Sequence, residues 1–341
     1  MWSLPTTNSP PLAGFLLAQR SAALFLQVPL GKLDPIIARS FAGYQSHLQH
    51  EYAYHYRVPA LIEPADGFVV TPHLQAIPES MPHYWEHGVP TRYALLRRWL
   101  GAPVQREHQV IVLREFGEAN YYHFFNDVLG KLALFDELQV GKDWPLLISA
   151  HLYAQPYFQG LLRCSALRER HWLVQHTAFV RADETLFCKP MPHMRRNFDY
   201  VLDRMTLPPL QGERRVLLIR QPARGRWLEN QADVEAVCRT CGFETVDADA
   251  LTFEAQIAVF RATRFVVGIH GAGLLNCMFR RGGPLDLLEL FPPENIPPHY
   301  FWLAHNYNFG YDALVGSVGA QPGAFRIDPV ALRKKLAAML K

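Results

Sequence analysis

Residues 264–293, RFVVGIHGAGLLNCMFRRGGPLDLLELFPP, constrain the fold more than any other part of the chain. A β-branched apolar run leads into a turn with Gly268, Gly271 and Gly273 around His270. A helix start follows, and then a second apolar run closing on Glu289. Such a turn bares backbone N–H groups at a helix N-terminus, and glycine lets a ligand approach the backbone closely. That suits a diphosphate, and an acidic residue closing the next strand suits ribose hydroxyls. The same glycines serve equally well in a tight strand-to-helix turn that binds nothing, because the spacing is not the GxGxxG fingerprint.

The same alternation runs through most of the chain. QVIVL from residue 109, PLLIS, HWLVQ and TAFVR read as buried strands. Among them lie a long helix over 119–138, a second in AQPYFQGLLRC and a third in HMRRNFDYVLDRM from His193. HEYAYHYRVPAL at 50–61 alternates aromatic and polar residues as a strand does, and 62–90 reads as strand and loop. LPPLQGE at 207–213 has the prolines and glycine of a linker. Beyond it RRVLLIR and FETVD are strands, and QADVEAVCRTCG is a helix stopped by Gly242. LTFEAQIAVFRA is a helix capped by Thr252, and PPHYFWLAHNYNF is helical. DPVALRKKLAAMLK is a closing helix with Asp328 as cap and Pro329 in its first position. Alternating elements with short connections predict parallel sheets with helices on both faces. The expected fold is α/β, with two doubly wound halves, 1–206 and 207–341, facing each other across a cleft.

Composition excludes several functions. The chain has 341 residues, 49% hydrophobic and 19% charged, which describes a packed two-domain protein and not a disordered one. A net charge of +3 is too mild for a nucleic-acid binder. Five cysteines form no disulfide framework, so a reducing, cytoplasmic setting is expected. Cys238 and Cys241 sit at helical spacing without a second pair, the pattern of one helix face and not of a zinc site. No run reaches the eighteen or so apolar residues of a membrane span, which leaves room only for peripheral membrane contact.

Within the helix at 119–138, ANYYHFFNDVLGKLALFDEL, the apolar residues recur at helical spacing and form a core face. Asn120, His123 and Asp127 follow an i, i+3, i+7 pattern, which puts them within roughly 60° of one another. A carboxylate one turn from an imidazole is a unit for taking a proton from a hydroxyl. It is also how a buried histidine is satisfied in a purely structural helix. Arg220 ends an apolar strand and is followed by Arg224 and Arg226 in a Pro/Gly loop. Strand C-terminal ends are where ligands bind in open α/β sheets, and guanidinium groups there can grip phosphate oxygens. The cluster His83, Tyr84, Trp85, Glu86, His87 lacks metal-ligand spacing and reads as a packed loop.

Three blocks in this order resemble glycosyltransferase family 61 over about residues 110–315. They are NYYHFFNDVLGKL, LLIRQPARGRWLEN, and FVVGIHGAGLLNCMF with LLELFPP. The chain departs from the family pattern at Glu229-Asn230, where relatives carry the reverse order, and at Gly130, where many have proline. The resemblance implies a GT-B fold with the C-terminal helix crossing back in some members. It also implies a nucleotide-sugar donor, by default a UDP-sugar, and inversion at the anomeric carbon without a metal or other cofactor. The absence of an Asp-x-Asp motif agrees with the last point. It implies Asp127 as the base, with His123 orienting it or taking the proton itself. Arg220, Arg226, His270, Gly271, Ala272 and Gly273 would hold the diphosphate, and Glu289 would bind ribose. Asn276 would support the turn, and Asn120 would serve the acceptor pocket or the helix cap. The implied acceptor is a glycan or lipid-linked glycan of a bacterial surface polysaccharide.

Two other classes suit a two-lobed α/β chain of this kind. One is pyruvyl transfer onto a polysaccharide, which needs a cationic pocket but no ribose-binding acid. The other is a non-catalytic nucleotide or sugar binder.

Overall fold

The computed structural model describes residues 10–23, 33–44, 48–71, 73, 75–80 and 101–341. The cluster from His83 to His87 lies outside the described residues. The chain divides into two compact units, Met1–Ala22 with Leu48–Met205, and Ala23–His47 with Thr206–Lys341.

In the first unit, the described strands are β1 (Leu16–Ala23), β2 (Leu48–Tyr56), β3 (Ala60–Ile62), β4 (Val69–Val70), β5 (Val104–Val112), β6 (Leu146–Ser149), β7 (Trp172–Gln175) and β8 (Phe179–Lys189). They form one sheet in the order β1-β2-β8-β5-β6-β7, with the β3–β4 hairpin added on β8. β8, β5, β6 and β7 are mutually parallel, whereas β2 and β3 run antiparallel to β8. The sheet is therefore mixed, not wholly parallel as the alternation suggested. The residues explain the difference. Parallel β6, LLIS, is buried throughout, as a strand covered on both faces must be. Antiparallel β2 alternates buried Glu51 and Ala53 with half-buried Tyr52 and Tyr54, the pattern of a strand with one wet face. β8 is also longer than the short strand expected from TAFVR, running eleven residues. Val110, Val112, Leu147, Val180 and Phe187 fill the core with Ile62 and Ile77.

The helix after β5 carries an irregularity. It starts as an α-turn at Tyr121–His123, widens into a π segment at Phe124–Val128 and returns to α over Leu129–Glu137. π insertions are rare and concentrate at functional sites.

The second unit contains β9 (Arg214–Ile219), β10 (Trp227–Leu228), β11 (Glu244–Asp247), β12 (Thr263–Ile269), β13 (Asp286–Phe291), β14 (Gly310–Val315), β15 (Ser317–Val318) and β16 (Ala324–Arg326). Five of them form an all-parallel sheet in the order β11-β9-β12-β13-β14. This is the doubly wound order 2-1-3-4-5, in which the winding direction switches between β9 and β12. β10, β16 and β15 make a small separate sheet.

On one face, Val234 and Val237 of the helix Gln231–Thr240 and Leu332 and Leu336 of Pro329–Met339 cover Leu217, Val267 and Leu288. Fully burying each such side chain contributes about 1.5–3 kcal/mol. Strand side chains alternate faces, so Leu218 and Gly268 point to the other side, where Leu274 meets Gly268. The expected caps are in place. Thr252 Oγ1 accepts from Ala255 N at 3.2 Å, Asp328 Oδ1 accepts from Val330 N at 2.9 Å, and Gly242 ends its helix at φ +78°. The closing helix buries Leu332 and Leu336 in this unit's own core.

An expected N-terminal half of 1–206 omits one exchange. The helix Pro35–Ala42, capped by Asp34, belongs to the second unit. There Phe41 packs against Phe291 and Phe301 with ring centroids 6.3 and 5.0 Å apart.

Candidate functional site

In the second unit, the loops leaving β9 and β12 emerge at the switch point, where an open α/β sheet forms its ligand crevice. The β9 loop begins with Arg220 and the β12 loop with His270 and Gly271. Arg220 Nη1 donates to the carbonyl of His270 at 3.0 Å. Gly271 is extended (φ 168°), a conformation any residue adopts, so the glycine answers a steric demand: a Cβ there would collide with the Arg220 guanidinium. Tyr300 Oη donates to the Gly271 carbonyl at 2.6 Å from the far side. Gly273 leaves room for Leu218, whose Cδ2 would lie 3.2 Å from an added Cβ.

The segment after the turn, Ala272–Arg280, is a 3₁₀-helix. Asn276 lies inside it, fully buried, and donates to Gln256 Oε1 at 2.9 Å. It thus ties the turn's helix to Phe253–Arg261.

Glu289 differs from expectation in two ways. It sits in the middle of β13 and not at its end, opposite Gly268 of β12. It is also fully buried with both oxygens engaged, Oε1 with His270 Nδ1 at 2.5 Å and Oε2 accepting from Tyr311 Oη at 2.6 Å. A carboxylate held in this way presents no oxygen to a ribose; it holds the imidazole.

His270 is itself buried and stacked on Phe291, with centroids 5.2 Å apart and planes at 22°. Burial, followed by the positive charges of Arg226 and Arg220, pushes its pKa down to about 3. Burial pushes the Glu289 carboxyl well up, outweighing the opposing effects of the Tyr311 hydrogen bond and of Arg226. Both shifts favour an uncharged pair. In that state Glu289 donates its proton to Nδ1, and the ring hydrogen sits on Nε2. The turn thus gathers two arginines and a neutral imidazole N–H beside glycine amides, a donor set suited to an anion.

In the first unit, Asn120 is the N-cap of the helix at Tyr121, its Oδ1 accepting from Tyr122 N at 2.9 Å and His123 N at 3.5 Å. Of the two roles expected for it, the structure supplies the cap. His123 Nδ1 and Asp127 Oδ2 are 2.7 Å apart. The two side chains differ in access, at 42% exposed for His123 and 6% for Asp127. The other Asp127 oxygen accepts from Asn126 Nδ2 at 2.5 Å, and Asn126 Oδ1 accepts from His193 N at 2.6 Å. Of the two members expected to share the proton-taking role, Asp127 is the buried one and His123 the one that solvent reaches. His193, from the loop after β8, holds a left-handed φ of 61°, and its Nδ1 meets Tyr122 Oη at 2.6 Å.

Asn126, Tyr122, His193, Tyr300 and Tyr311 were not singled out in the sequence. A signal existed for Asn126, an amide beside Asp127 on an apolar helix. None existed for Tyr311, whose strand β14 has no clear period. Cys238 is buried on the inner side of its helix and Cys241 caps the helix end, both as free thiols, in agreement with the helix-face reading. Among the described residues no helix is long and apolar enough to cross a membrane.

No curated protein matches the chain. The family model described as Glycosyltransferase 61 matches residues 121–284, a span that begins at the His123–Asp127 helix and takes in Arg220, Arg226 and the His270–Gly273 turn. The chain belongs to glycosyltransferase family 61.

Proposed function

We propose that the protein is an inverting glycosyltransferase of the GT-B class that moves a sugar from a nucleotide-sugar donor, by default a UDP-sugar, to a hydroxyl of a bacterial surface glycan. The observation that carries the reading is the meeting of Arg220 with the His270–Gly271 turn at the switch point of a parallel sheet, in a chain of this family. The second unit is the donor half. Arg220, Arg226, the His270 ring N–H and the amides of Gly271, Ala272 and Gly273 bind the diphosphate. They stabilise the negative charge that grows on it as it leaves, without recourse to a metal ion. Glu289 acts through His270, fixing which ring nitrogen carries hydrogen.

The first unit is the acceptor half. His123 takes the proton of the acceptor hydroxyl while that oxygen attacks the anomeric carbon and the bond to the diphosphate oxygen breaks. Asp127 holds the imidazole and stabilises its charged form, and Asn126 holds Asp127.

The test begins with thermal stabilisation by a panel of nucleoside mono- and diphosphates and nucleotide sugars, since a ligand bound only by the folded state raises apparent stability. One nucleotide class should stabilise the wild type and lose its effect in Arg220→Ala. Turnover of the matching nucleotide sugar should fall by about 10²–10⁴ in His123→Ala with the nucleotide response retained. No response to any nucleotide, or full turnover in His123→Ala, refutes the proposal.

A further inference from the structure

The segment 190–194, between β8 and the helix Arg195–Leu202, meets the His123 helix through His193. The His193 N–H donates to Asn126 Oδ1 at 2.6 Å, and His193 Nδ1 lies 2.6 Å from Tyr122 Oη. Tyr122 precedes His123 and Asn126 precedes Asp127, so the two contacts hold the neighbours of both members of the pair. The Tyr122 contact falls just ahead of the π segment Phe124–Val128, and the Asn126 contact lies inside it. Isolated π turns are rare, and this one is spanned by a neighbouring segment of chain.

That segment is itself fixed. His193 has a left-handed φ of 61°, uncommon for a residue with a Cβ, and such a backbone persists where its surroundings hold it. Asn197, fully buried, donates from Nδ2 to the carbonyls of Met191 at 2.8 Å and Asn126 at 3.2 Å. Met191 N donates to buried Glu51 Oε2 at 2.9 Å. Gly130 lets the helix come this close: an added Cβ would stand 3.0 Å from Asn197 Nδ2 and 3.2 Å from Pro190 Cγ. The helix beyond is anchored too, where buried Lys131 pairs with buried Glu115 at 2.8 Å.

The His193 N–H decides which way the Asn126 amide lies. An amide has donors at one end and acceptors at the other. With Oδ1 taken by His193, the Nδ2 end faces Asp127 Oδ1 at 2.5 Å, and Asp127 Oδ2 is left for His123 Nδ1 at 2.7 Å. Turned over, the amide would set its oxygen against the carboxylate, two acceptors with no hydrogen between them.

We propose that His193 is a positioning residue: by locking the Asn126 amide and Tyr122 it fixes Asp127 and, through Asp127, which nitrogen of His123 carries hydrogen. The proposal rests on His123 being the group that takes the acceptor proton. A carboxylate only accepts, so a fixed Asp127 keeps hydrogen on Nδ1 and leaves Nε2 with the lone pair a base needs.

The test uses the full chain with nitrogen-15 histidine, read by imidazole NMR at about pH 8.5, above the ordinary histidine range. The His123 signals are assigned by their loss in His123→Gln. Wild-type His123 should carry its hydrogen on Nδ1, and His193→Ala should give a mixture of the two ring forms. With the nucleotide sugar that the wild type turns over, His193→Ala should lower kcat roughly 10- to 100-fold and leave the donor KM within about twofold. His193→Asn, a residue that accepts a left-handed backbone and keeps a short polar side chain, should restore both readouts. Tyr122→Phe removes one hydroxyl and should shift both readouts in the same direction; it carries the test if His193→Ala does not fold. Hydrogen on Nε2 in the wild type overturns the proposal, as do unchanged His123 signals in His193→Ala and Tyr122→Phe. So does a lowered unfolding midpoint with ring form and kcat intact, the mark of a loop anchor. A ring form that responds to His193 in a protein whose turnover survives His123→Ala upholds the positioning and removes the base assignment alone.

Discussion

The His270–Glu289 pair makes the pH profile of stability a direct test of the uncharged state assigned to it. In the folded protein His270 titrates near 3 and Glu289 well above its ordinary value; in the unfolded chain they return to 6.5 and 4.5. His270 is depressed, so its contribution is intact above pH 6.5 and is lost as pH falls toward 3. Glu289 is raised, so its contribution is intact below pH 4.5 and is lost as pH rises toward its folded value. Between 4.5 and 6.5 the unfolded pair holds one proton, on the histidine, and the folded pair also holds one, on the glutamate. Equal proton counts mean zero slope. Below 4.5 the unfolded pair holds one proton more than the folded pair, and above 6.5 one fewer. Stability should therefore level off above 4.5, fall on the acid side at about 1.4 kcal/mol per pH unit, and fall again on the alkaline side as the raised Glu289 carboxyl is outrun by its unfolded counterpart. The acid limb from 4.5 to 3 amounts to about 2 kcal/mol by the same conversion. The assay is urea denaturation at half-unit pH steps on the wild type, His270→Asn and Glu289→Gln, compared as difference profiles so that other titrating groups cancel. His270→Asn should lose the acid limb and Glu289→Gln the alkaline one. Difference profiles that stay flat from pH 3 to 9 would mean that the pair is not held uncharged, and the assignment of hydrogen to Nε2 would fall with it.

Gly271→Ala should displace the Arg220 guanidinium without straining the backbone, weakening nucleoside diphosphate binding roughly 10- to 150-fold, the worth of one charge-assisted hydrogen bond. On an Arg220→Ala background the same change should cost little more, and additive losses in calorimetric titration would show that Gly271 acts by another route. Lys131→Ala leaves Glu115 buried and unpaired and should cost about 3–5 kcal/mol in chemical denaturation, much of it restored by adding Glu115→Gln. Asn126→Ala should lower turnover with nucleotide binding intact, because it frees Asp127 to turn away from His123; unchanged kcat would make Asn126 a packing residue only. Thr252→Ala should cost about 1 kcal/mol of stability through its lost cap.

What could be read from the chain alone was whatever depends on near neighbours. Thr252, Asp328 and Gly242 announce helix ends because caps act within three residues. The strand and glycine turn at 264–273 were likewise legible, and so was the pairing of His123 with Asp127 one turn apart. What failed depended on partners distant in sequence or on helix type. Glu289 resembled a ribose ligand until the structure brought Tyr311 from β14 and His270 from the turn after β12 to its two oxygens. The linear pattern holds no trace that Asn126 meets His193, 67 residues away, or that one turn of the helix widens to π. The antiparallel pairing of β2 with β8 was hidden for the same reason: alternation identifies a strand with one wet face but not the direction of its neighbour.

The helix Pro35–Ala42 alters how the protein can be taken apart. The chain passes between its two units at residues 22–23, 47–48 and 205–206. A cut at the Pro/Gly segment 207–213 therefore releases no complete domain. The C-terminal piece would lack Ile37 and Phe41 and leave bare the Phe291, Phe301 and Trp302 surface they cover. The same Phe291 stacks on His270, so the wound would open directly behind the turn. The second unit prepared for isolated study has to carry residues 23–47 with it, joined to 206–341 by a designed connection.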